Sequence, residues 1–383
     1  MKQLPLSIPQ IEGNAWKYVK DCLDTNWVSS VGAYVGRFED SVRAYTGAKH
    51  AVAGVNGTAC LHAALTALDV GPGDGVLVPA LTFIATANAV RYCGAVPLFI
   101  DCDPARYNLD LGALEAFLET GCRRRQGRLF TRAGNVPVKA VLPAHILGFP
   151  VDMERLTALA RRHKLTVLED AAESLGSSFA GRHTGTFGAA GVLSFNGNKI
   201  VTCGGGGMII TDDDALAKRL RHLTQQAKSH PTEYFHDEVG WNYRMTNLSA
   251  ALGLSQMERL PRFLKKREQL ARWYRQGLPG IPTPPLQPGQ RWNHWLMGVT
   301  VASAEAKKRL LQTLNDAGCQ ARPLWSPLPL QKPYKGSLGT PIPQARRAYD
   351  TVINIPSSTS LTQTDVARVC RLLRRAPLTA LLA

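Results

Sequence analysis

The sequence has few features of secreted, membrane-spanning or metal-binding proteins. Its eight cysteines include no C-x-x-C pair, and the histidines are not spaced to complete a metal cluster. We therefore expect neither a disulfide framework nor a zinc site. The first residues, MKQLPLSIPQIEGNAW, contain no hydrophobic signal segment. The longest apolar stretch, Val76–Val90, is too short for a membrane helix and is broken by Pro79. These absences predict a cytoplasmic protein without a membrane partner.

Acidic residues are scarce relative to basic ones. The chain has 29 Asp and Glu against 45 Lys and Arg, which gives a formal charge of +16. The basic residues are spread over many segments, and no basic stripe with interleaved aromatic residues is present. A nucleic-acid partner is therefore not expected, although charge alone leaves a nucleic-acid binder as an alternative. The positive charge favours small anionic ligands such as nucleotides or phosphates.

Internal repeats and low-complexity segments are also absent, and the chain of 383 residues is too long for one hydrophobic core. Strand and helix patterns alternate up to residue 170, which predicts a largely parallel sheet. A helical, basic segment at 261–277 and the proline-rich stretch PGIPTPPLQPGQ follow the sheet region. We therefore predict a large domain at residues 1–260 and a smaller α/β domain at 261–383.

Polar residues are concentrated in the stretch Thr166–Gly207. The apolar run TVLED ends at Asp170, and the run GVLSFNGNK carries Ser194 and ends at Lys199, followed by four glycines. If both runs are strands of one sheet, a carboxylate, a hydroxyl and an amine meet at neighbouring strand ends. Open α/β sheets bind ligands at that edge.

A second candidate site lies in VNGTACLHAAL, where the strand HAVAGV turns directly into a helix. The free N–H groups and positive end of such a helix favour a phosphate group, here at Gly57, Thr58 and Ala59. Taken alone, the same residues favour an ordinary helix cap.

Together these residues fit one cofactor, pyridoxal phosphate. A lysine in a tight glycine-flanked loop can form a Schiff base with a carbonyl, and a carboxylate can hold the pyridinium nitrogen. Phe83, at a strand-to-helix junction, can cover one face of the ring. Each residue also has an ordinary structural explanation, and only the combination indicates the cofactor.

The stretch EDAAESLGSSFAGRHTGTFGAAGVLSFNGNKIVTCGGGGMIIT resembles the cofactor-binding core of the DegT/DnrJ/StrS sugar aminotransferases. NWVSSVGAYVGRFED, VPALTFIATANAV, AHILGFPVDM and WNYRMTNLSAALGLSQMERL extend the likeness over nearly the whole chain. The resemblance implies the α/β fold of PLP-dependent transferases, fold type I (aspartate aminotransferase-like). In that fold a large, mostly parallel seven-stranded sheet domain precedes a small C-terminal α/β domain.

The resemblance assigns roles to individual residues. It places the Schiff base on Lys199, the partner of the ring nitrogen on Asp170 and the ring hydroxyl contact on Glu173, where many members have Gln. Asn247 corresponds to an asparagine that reaches the phosphate from the partner subunit, so a homodimer with shared sites is implied. Pro329 stands where a histidine is frequent. The implied cofactor contacts are Gly57, Thr58, Ala59, Phe83, Asp170, Glu173, Ser194, Lys199 and Asn247. The candidate substrate contacts are Trp27, Ser29, Asn242, Arg244, Arg322 and Trp325.

The implied activity is transfer of an amino group from L-glutamate to a nucleotide-linked keto-sugar for surface-glycan or nonulosonic acid biosynthesis. The segment SIPQIEGNAWKYVKDCLDTNWVSSVG most resembles the legionaminic-type branch, which makes 4-amino sugars. We therefore predict amination at C4 of a UDP-linked 4-keto-6-deoxy-N-acetylhexosamine. The alternatives are a C3 aminotransferase, a 3-dehydratase and a non-catalytic PLP-binding regulator. Lys199 opposes the dehydratase, which carries histidine at that position, and the chain leaves no room for a regulator's DNA-binding domain.

Overall fold

The structure is a computed structural model and describes residues 2–383. The helices of this range are α1 (Ala15–Asp24), α2 (Ala33–Thr46), α3 (Gly57–Ala67), α4 (Ala85–Tyr92), α5 (Leu111–Ala116), α6 (Met153–His163), α7 (Asp214–Thr224), α8 (Asn247–Met257), α9 (Leu260–Gly277), α10 (Ala304–Asp316), α11 (Pro343–Thr351) and α12 (Gln363–Leu373). The strands are β1 (His50–Gly54), β2 (Gly75–Pro79), β3 (Val96–Ile100), β4 (Cys122–Arg125), β5 (Arg128–Thr131), β6 (Val138–Val141), β7 (Thr166–Asp170), β8 (Ser178–Phe179), β9 (Arg182–His183), β10 (Ala190–Ser194), β11 (Gly207–Thr211), β12 (Met297–Val301), β13 (Arg322–Pro323), β14 (Val352–Ile355) and β15 (Leu378–Leu382).

Seven strands form the large sheet, in the order β1-β11-β10-β7-β6-β2-β3. The pairs from β10 to β3 are parallel, and β11 runs antiparallel to both β1 and β10. Strands such as GVLVP and GMIIT are buried along their whole length, as expected for a sheet that is covered on both faces. The predicted seven-stranded, mostly parallel sheet of fold type I is confirmed.

This topology determines where the polar strand ends meet. Because β11 is antiparallel to both β1 and β10, β1 runs in the same direction as β10 and β7. The carboxyl ends of these three strands therefore share one edge of the sheet. Asp170 ends β7, Ser194 ends β10, and Asn56 and Gly57 follow β1 at that edge.

A four-stranded antiparallel sheet, β13-β14-β12-β15, is built from residues after 296. Helices α9, α10 and α12 contribute buried side chains to a separate hydrophobic cluster with this sheet. The predicted division at residues 260 and 261 falls where α9 begins. That division stays a prediction, and the two sheets are the observation that supports it.

Strands β4 and β5 form a basic β-hairpin in which Cys122 pairs with Thr131 and Arg125 with Arg128. The side chains of Cys122 and Leu129 are buried, so the hairpin is anchored to the body of the molecule.

Among the helices of residues 2–383, none combines the length and the apolar character that a membrane crossing requires.

Candidate active site

A cavity of about 320 Å³ opens at the edge of the large sheet where β1, β7 and β10 end. Eight of the side chains predicted from the sequence line it, although they come from widely separated parts of the chain. They are Gly57, Thr58, Phe83, Asp170, Glu173, Ser194, Lys199 and Trp325.

The start of α3 forms one wall of the cavity. Asn56 is the N-cap, and its side-chain oxygen accepts a hydrogen bond from the Ala59 N–H at 2.8 Å. A Cβ atom on Gly57 would lie 3.2 Å from the Ser194 Cβ, so glycine allows the helix to approach β10 closely. The N–H groups of Gly57 and Thr58 have no hydrogen-bond partner in residues 2–383. An anion could accept hydrogen bonds from both groups at the positive end of the helix.

The Ala59 N–H, predicted to contact the cofactor phosphate, donates to Asn56 in this structure. The phosphate contact of Ala59 stays a prediction. The residue supports the geometry of the helix start, and its methyl group is buried.

Asp170 supplies a buried carboxylate at the opposite wall. Its side chain accepts a hydrogen bond from the Thr86 hydroxyl at 2.7 Å and one from the Ala172 N–H at 3.2 Å. Burial raises the pKa of Asp170, while these two donors and the nearby Lys199 act in the opposite direction. A positively charged group beside Asp170 would therefore be stabilised by a carboxylate that water does not screen.

Lys199 extends into the same cavity and is largely shielded from solvent. Its Nζ lies 3.5 Å from the Glu173 Oε1 and 3.8 Å from the centre of the Trp295 ring. The second carboxylate oxygen of Glu173 accepts the Leu147 N–H at 2.9 Å. The amine is thus held between a carboxyl group and an aromatic face, within reach of the space that Asp170 borders.

The comparisons with known proteins agree with this geometry. The DegT/DnrJ/EryC1/StrS aminotransferase family matches residues 9–374. The chain belongs to this family.

Three similar proteins illustrate its range. The GDP-perosamine synthase of Caulobacter vibrioides is 38% identical, over 96% of this chain and 97% of its own. The UDP-N-acetyl-3-dehydro-alpha-D-glucosamine 3-aminotransferase of Acidithiobacillus ferrooxidans is 32% identical, over 88% and 87%. A DegT/DnrJ/EryC1/StrS aminotransferase structure from Brucella abortus has a TM-score of 0.87 and 29% identity, with 95% of each chain covered. The protein is a PLP-dependent sugar aminotransferase, as the resemblance implied.

The cavity of this aminotransferase fits pyridoxal phosphate. Free N–H groups of α3 and the Ser194 hydroxyl can take the phosphate, and Asp170 can pair with the ring nitrogen. Lys199 is the amine within the cavity, and Phe83 is half exposed at its border, where it can cover a ring. The buried Asp170 is the decisive observation, because a carboxylate without a cationic partner is costly to keep in such a place.

Besides Ala59, six predicted residues do not line the cavity. Trp27 and Ser29 belong to the loop between α1 and α2, and the Trp27 side chain is exposed. Asn242 and Arg244 lie on a segment that bridges to Gln225 and Gly54. Arg322 is exposed on the short strand β13. The sixth residue, Asn247, begins α8.

Asn247 holds a loop of its own chain. Its side-chain oxygen accepts the Tyr34 N–H at 3.0 Å, and its amide nitrogen donates to the Trp27 carbonyl at 2.7 Å and to the Cys22 sulfur at 3.2 Å. The residue is buried. Its contact with the phosphate in a partner subunit's site stays a prediction. Asn247 anchors the loop that carries Trp27 and Ser29.

Sequence reasoning missed three residues of the site: Thr86, His145 and Trp295. Thr86 donates to Asp170, and Trp295 lies against the Lys199 amine. The His145 Nδ1 accepts the Val151 N–H at 3.1 Å, so its Nε2 carries the proton that faces Glu169 at 3.1 Å. No pattern in the sequence marked these three side chains, because they act through contacts with residues distant in the chain.

Glu173 leads to a prediction about stability. Burial raises its pKa from 4.5 to about 7, although Lys199 and the Leu147 N–H oppose the shift. The folded chain therefore binds a proton at Glu173 more tightly than the unfolded chain does. The contribution of this proton to the free energy of unfolding is fully present below pH 4.5 and is lost as the pH rises through 7. In the cofactor-free protein, Glu173→Gln should remove this loss, which is on the order of 3 kcal/mol. Urea unfolding at pH 5 and pH 8 measures it.

The control for this experiment is Glu154→Gln, because the Glu154 side chain is exposed on α6. Its unfolding free energy should change with pH as in the unmodified protein. Equal pH dependence in the Glu173 and Glu154 variants would show that Glu173 is solvated or fully ionised in the folded chain.

Proposed function

We propose that this aminotransferase moves an amino group from L-glutamate to C4 of a nucleotide-linked 4-keto-6-deoxy-N-acetylhexosamine, with UDP as the nucleotide. The convergence of Lys199 and Asp170 in one cavity with the start of α3 is the observation that carries the proposal. When bound, pyridoxal phosphate acts as an electron sink for the electrons left on a carbon that loses a proton.

The residues of the chain supply positioning and proton transfer. Lys199 is the only lysine that lines the cavity in residues 2–383. We assign to its Nζ the transfer of the proton between the reacting carbon of L-glutamate or of the sugar and the cofactor. Asp170 keeps a protonated ring nitrogen in place. Glu173, in its neutral form, donates a hydrogen bond to the ring hydroxyl, as a glutamine would.

We place the nucleotide-sugar at the mouth of the cavity, because bound pyridoxal phosphate would fill the interior. Phe83 and Trp325 border this mouth and offer flat apolar surfaces. The net charge of +16 favours approach of a diphosphate. We keep Arg322 as a candidate contact for the same group.

A second acceptor is favoured by a specific observation. The relative with 38% identity is named for GDP-perosamine, an amino sugar carried by GDP, while the other named relative is a 3-aminotransferase of a UDP-sugar. A panel of UDP- and GDP-linked 3-keto and 4-keto sugars, incubated with L-glutamate and analysed by mass spectrometry and NMR, separates these possibilities. A C4 amine on the UDP-sugar is the expected product. Turnover of GDP-sugars alone would replace UDP with GDP, and a C3 amine would replace the C4 assignment.

We also propose a homodimer in which Trp27, Ser29, Asn242 and Arg244 serve the partner's cavity. The large exposed apolar side chains include Trp16, at 76%, and Tyr234, at 88% exposed, both on the outer surface. Tryptophan and tyrosine are enriched at protein interfaces.

Mixing two inactive variants tests this shared site. Arg244→Ala leaves the Lys199 cavity intact, and Lys199→Ala leaves Arg244 intact. If the site is shared, an equimolar mixture should regain about one quarter of the normal activity, because about half of the dimers are mixed and each of these has one intact site of two. Analytical ultracentrifugation must first show a dimer and subunit exchange. No activity after proven exchange would place Arg244 in its own subunit's site or outside any site.

A further inference from the structure

A second cavity of about 550 Å³ lies beside α9, separate from the Lys199 cavity. We call it the Arg275 cavity. Apolar side chains of Leu264, Pro284, Leu286 and Trp292 form part of its wall. Its polar lining consists of Glu268, Arg275, Thr283, Gln290, Arg291, Asn293 and His294.

The charge of the Arg275 cavity is positive. Arg275 and Arg291 both line it, and the Arg291 guanidinium makes no hydrogen bond or ion pair within residues 2–383. The acidic group of the lining, Glu268, is paired with Arg272 at 3.1 Å. The Arg275 guanidinium donates to the Ala383 carbonyl at 2.8 Å and keeps other N–H groups. Arg291 is thus the guanidinium of this cavity without a partner in residues 2–383, and a guanidinium suits an oxyanion.

His294 adds an unused polar atom at this site. Its Nδ1 is buried and has no hydrogen-bond partner, and its backbone has a left-handed φ of 52°. Burial and the guanidinium groups of Arg275 and Arg267 lower the pKa of His294 to about 3. The ring is therefore neutral at physiological pH and can donate or accept a hydrogen bond with a bound molecule. A buried polar atom without a partner and a strained backbone are both typical of functional positions.

The segment Arg291–Trp295 separates the two cavities and contacts both. Trp292 lines the Arg275 cavity, and its Nε1 donates to the Leu147 carbonyl at 2.8 Å. The Leu147 N–H in turn donates to Glu173, which faces Lys199. Leu147 also has a left-handed backbone, with φ of 54°.

The same segment makes two more direct contacts with the Lys199 cavity. The Asn293 amide donates to the Glu173 carbonyl at 2.8 Å. The Trp295 ring lies 3.8 Å from the Lys199 Nζ, and its carbonyl accepts a hydrogen bond from the buried Arg267. A shift of Trp292 or His294 would therefore reach Lys199 through a short chain of packed groups.

We propose that the Arg275 cavity binds a small oxyanion, of the carboxylate or phosphate class, through Arg275 and Arg291, and that its occupancy alters the Lys199 site through Trp292. The binding half of this proposal does not depend on which sugar the enzyme uses. The coupling half requires only that the cofactor is bound to Lys199. By thermodynamic linkage, each site changes the affinity of the other by the same factor.

The binding test uses the cofactor-loaded enzyme, with sodium phosphate and sodium succinate as probes. Isothermal titration calorimetry at constant ionic strength, adjusted with sodium chloride, should show saturable binding of at least one probe. Arg291→Gln and Arg275→Gln should each weaken it about tenfold, as loss of one charge-assisted hydrogen bond predicts. Arg128→Gln is the matched control, and its affinity should stay unchanged, while Arg322→Gln reports on binding at the candidate substrate site. Absence of saturable binding, or equal affinity in all four variants, would overturn the proposal. Loss of binding only in Arg322→Gln would assign the anion to the substrate site and would overturn it too.

The coupling test follows the visible absorption band of the cofactor on Lys199. The bound probe should shift the pH midpoint of this band in the unmodified enzyme and not in Arg291→Gln. Trp292→Phe keeps the ring but removes the hydrogen bond to Leu147, so it should bind the probe and lose the shift. A shift that persists in Trp292→Phe would overturn the proposed route, and a probe that binds without any shift would overturn the coupling.

Discussion

Lys199→Ala should lower the transamination rate by about a thousandfold or more, because it removes both the covalent amine and the proton carrier. The purified variant should lack the visible absorption of cofactor linked to lysine. Borohydride treatment followed by peptide mass spectrometry should label Lys199 in the unmodified protein and no lysine in the variant. The cavity should still bind the cofactor without a covalent bond, because the start of α3, Ser194 and Asp170 remain.

The matched control is Lys335→Ala, since Lys335 is exposed and lies outside the cavity. It should keep the absorption band and the rate. If Lys199→Ala retained the band, or if borohydride labelled another lysine, the assignment of Lys199 would be wrong.

Asp170→Asn should lower the rate of the glutamate half-reaction about 100- to 1,000-fold, which is typical for the loss of one preorganised electrostatic contact in an active site. Asparagine keeps the size of the side chain and can still contact Thr86, so the fold should be retained. It cannot hold a protonated ring nitrogen by charge. The cofactor should therefore bind, as judged by absorbance, while stopped-flow measurement shows the slow step.

Two variants make this experiment specific. Thr86→Val removes the hydroxyl that donates to Asp170 at 2.7 Å, and it should slow the same step by about tenfold, the effect of one hydrogen bond to a charged group. Asp316→Asn, at an exposed position on α10, should have no effect. Normal turnover by Asp170→Asn would show that the ring nitrogen does not need this carboxylate.

The fold class followed from patterns that are local in the sequence. Apolar runs of five residues alternating with amphipathic segments predict a parallel sheet with helices on both faces. The positions of Asp170, Ser194 and Lys199 after such runs were enough to place them at one edge, because carboxyl ends of parallel strands share an edge. The hairpin of β4 and β5 was not predicted, since each strand has four residues and half of these residues are exposed.

The sequence by itself determined the chemical groups of the site: the amine, the carboxylate, the glycine at a helix start and their order along the chain. The tertiary structure alone decided which polar atoms of the predicted residues already have hydrogen-bond partners within the chain. Asn56 takes the Ala59 N–H, and the 27–34 loop takes both polar atoms of Asn247. It also brought Thr86 to Asp170 and Trp295 to Lys199, across long separations in the chain. Such contacts depend on how helices pack on the sheet, and residue type and spacing along the chain carry no record of that packing.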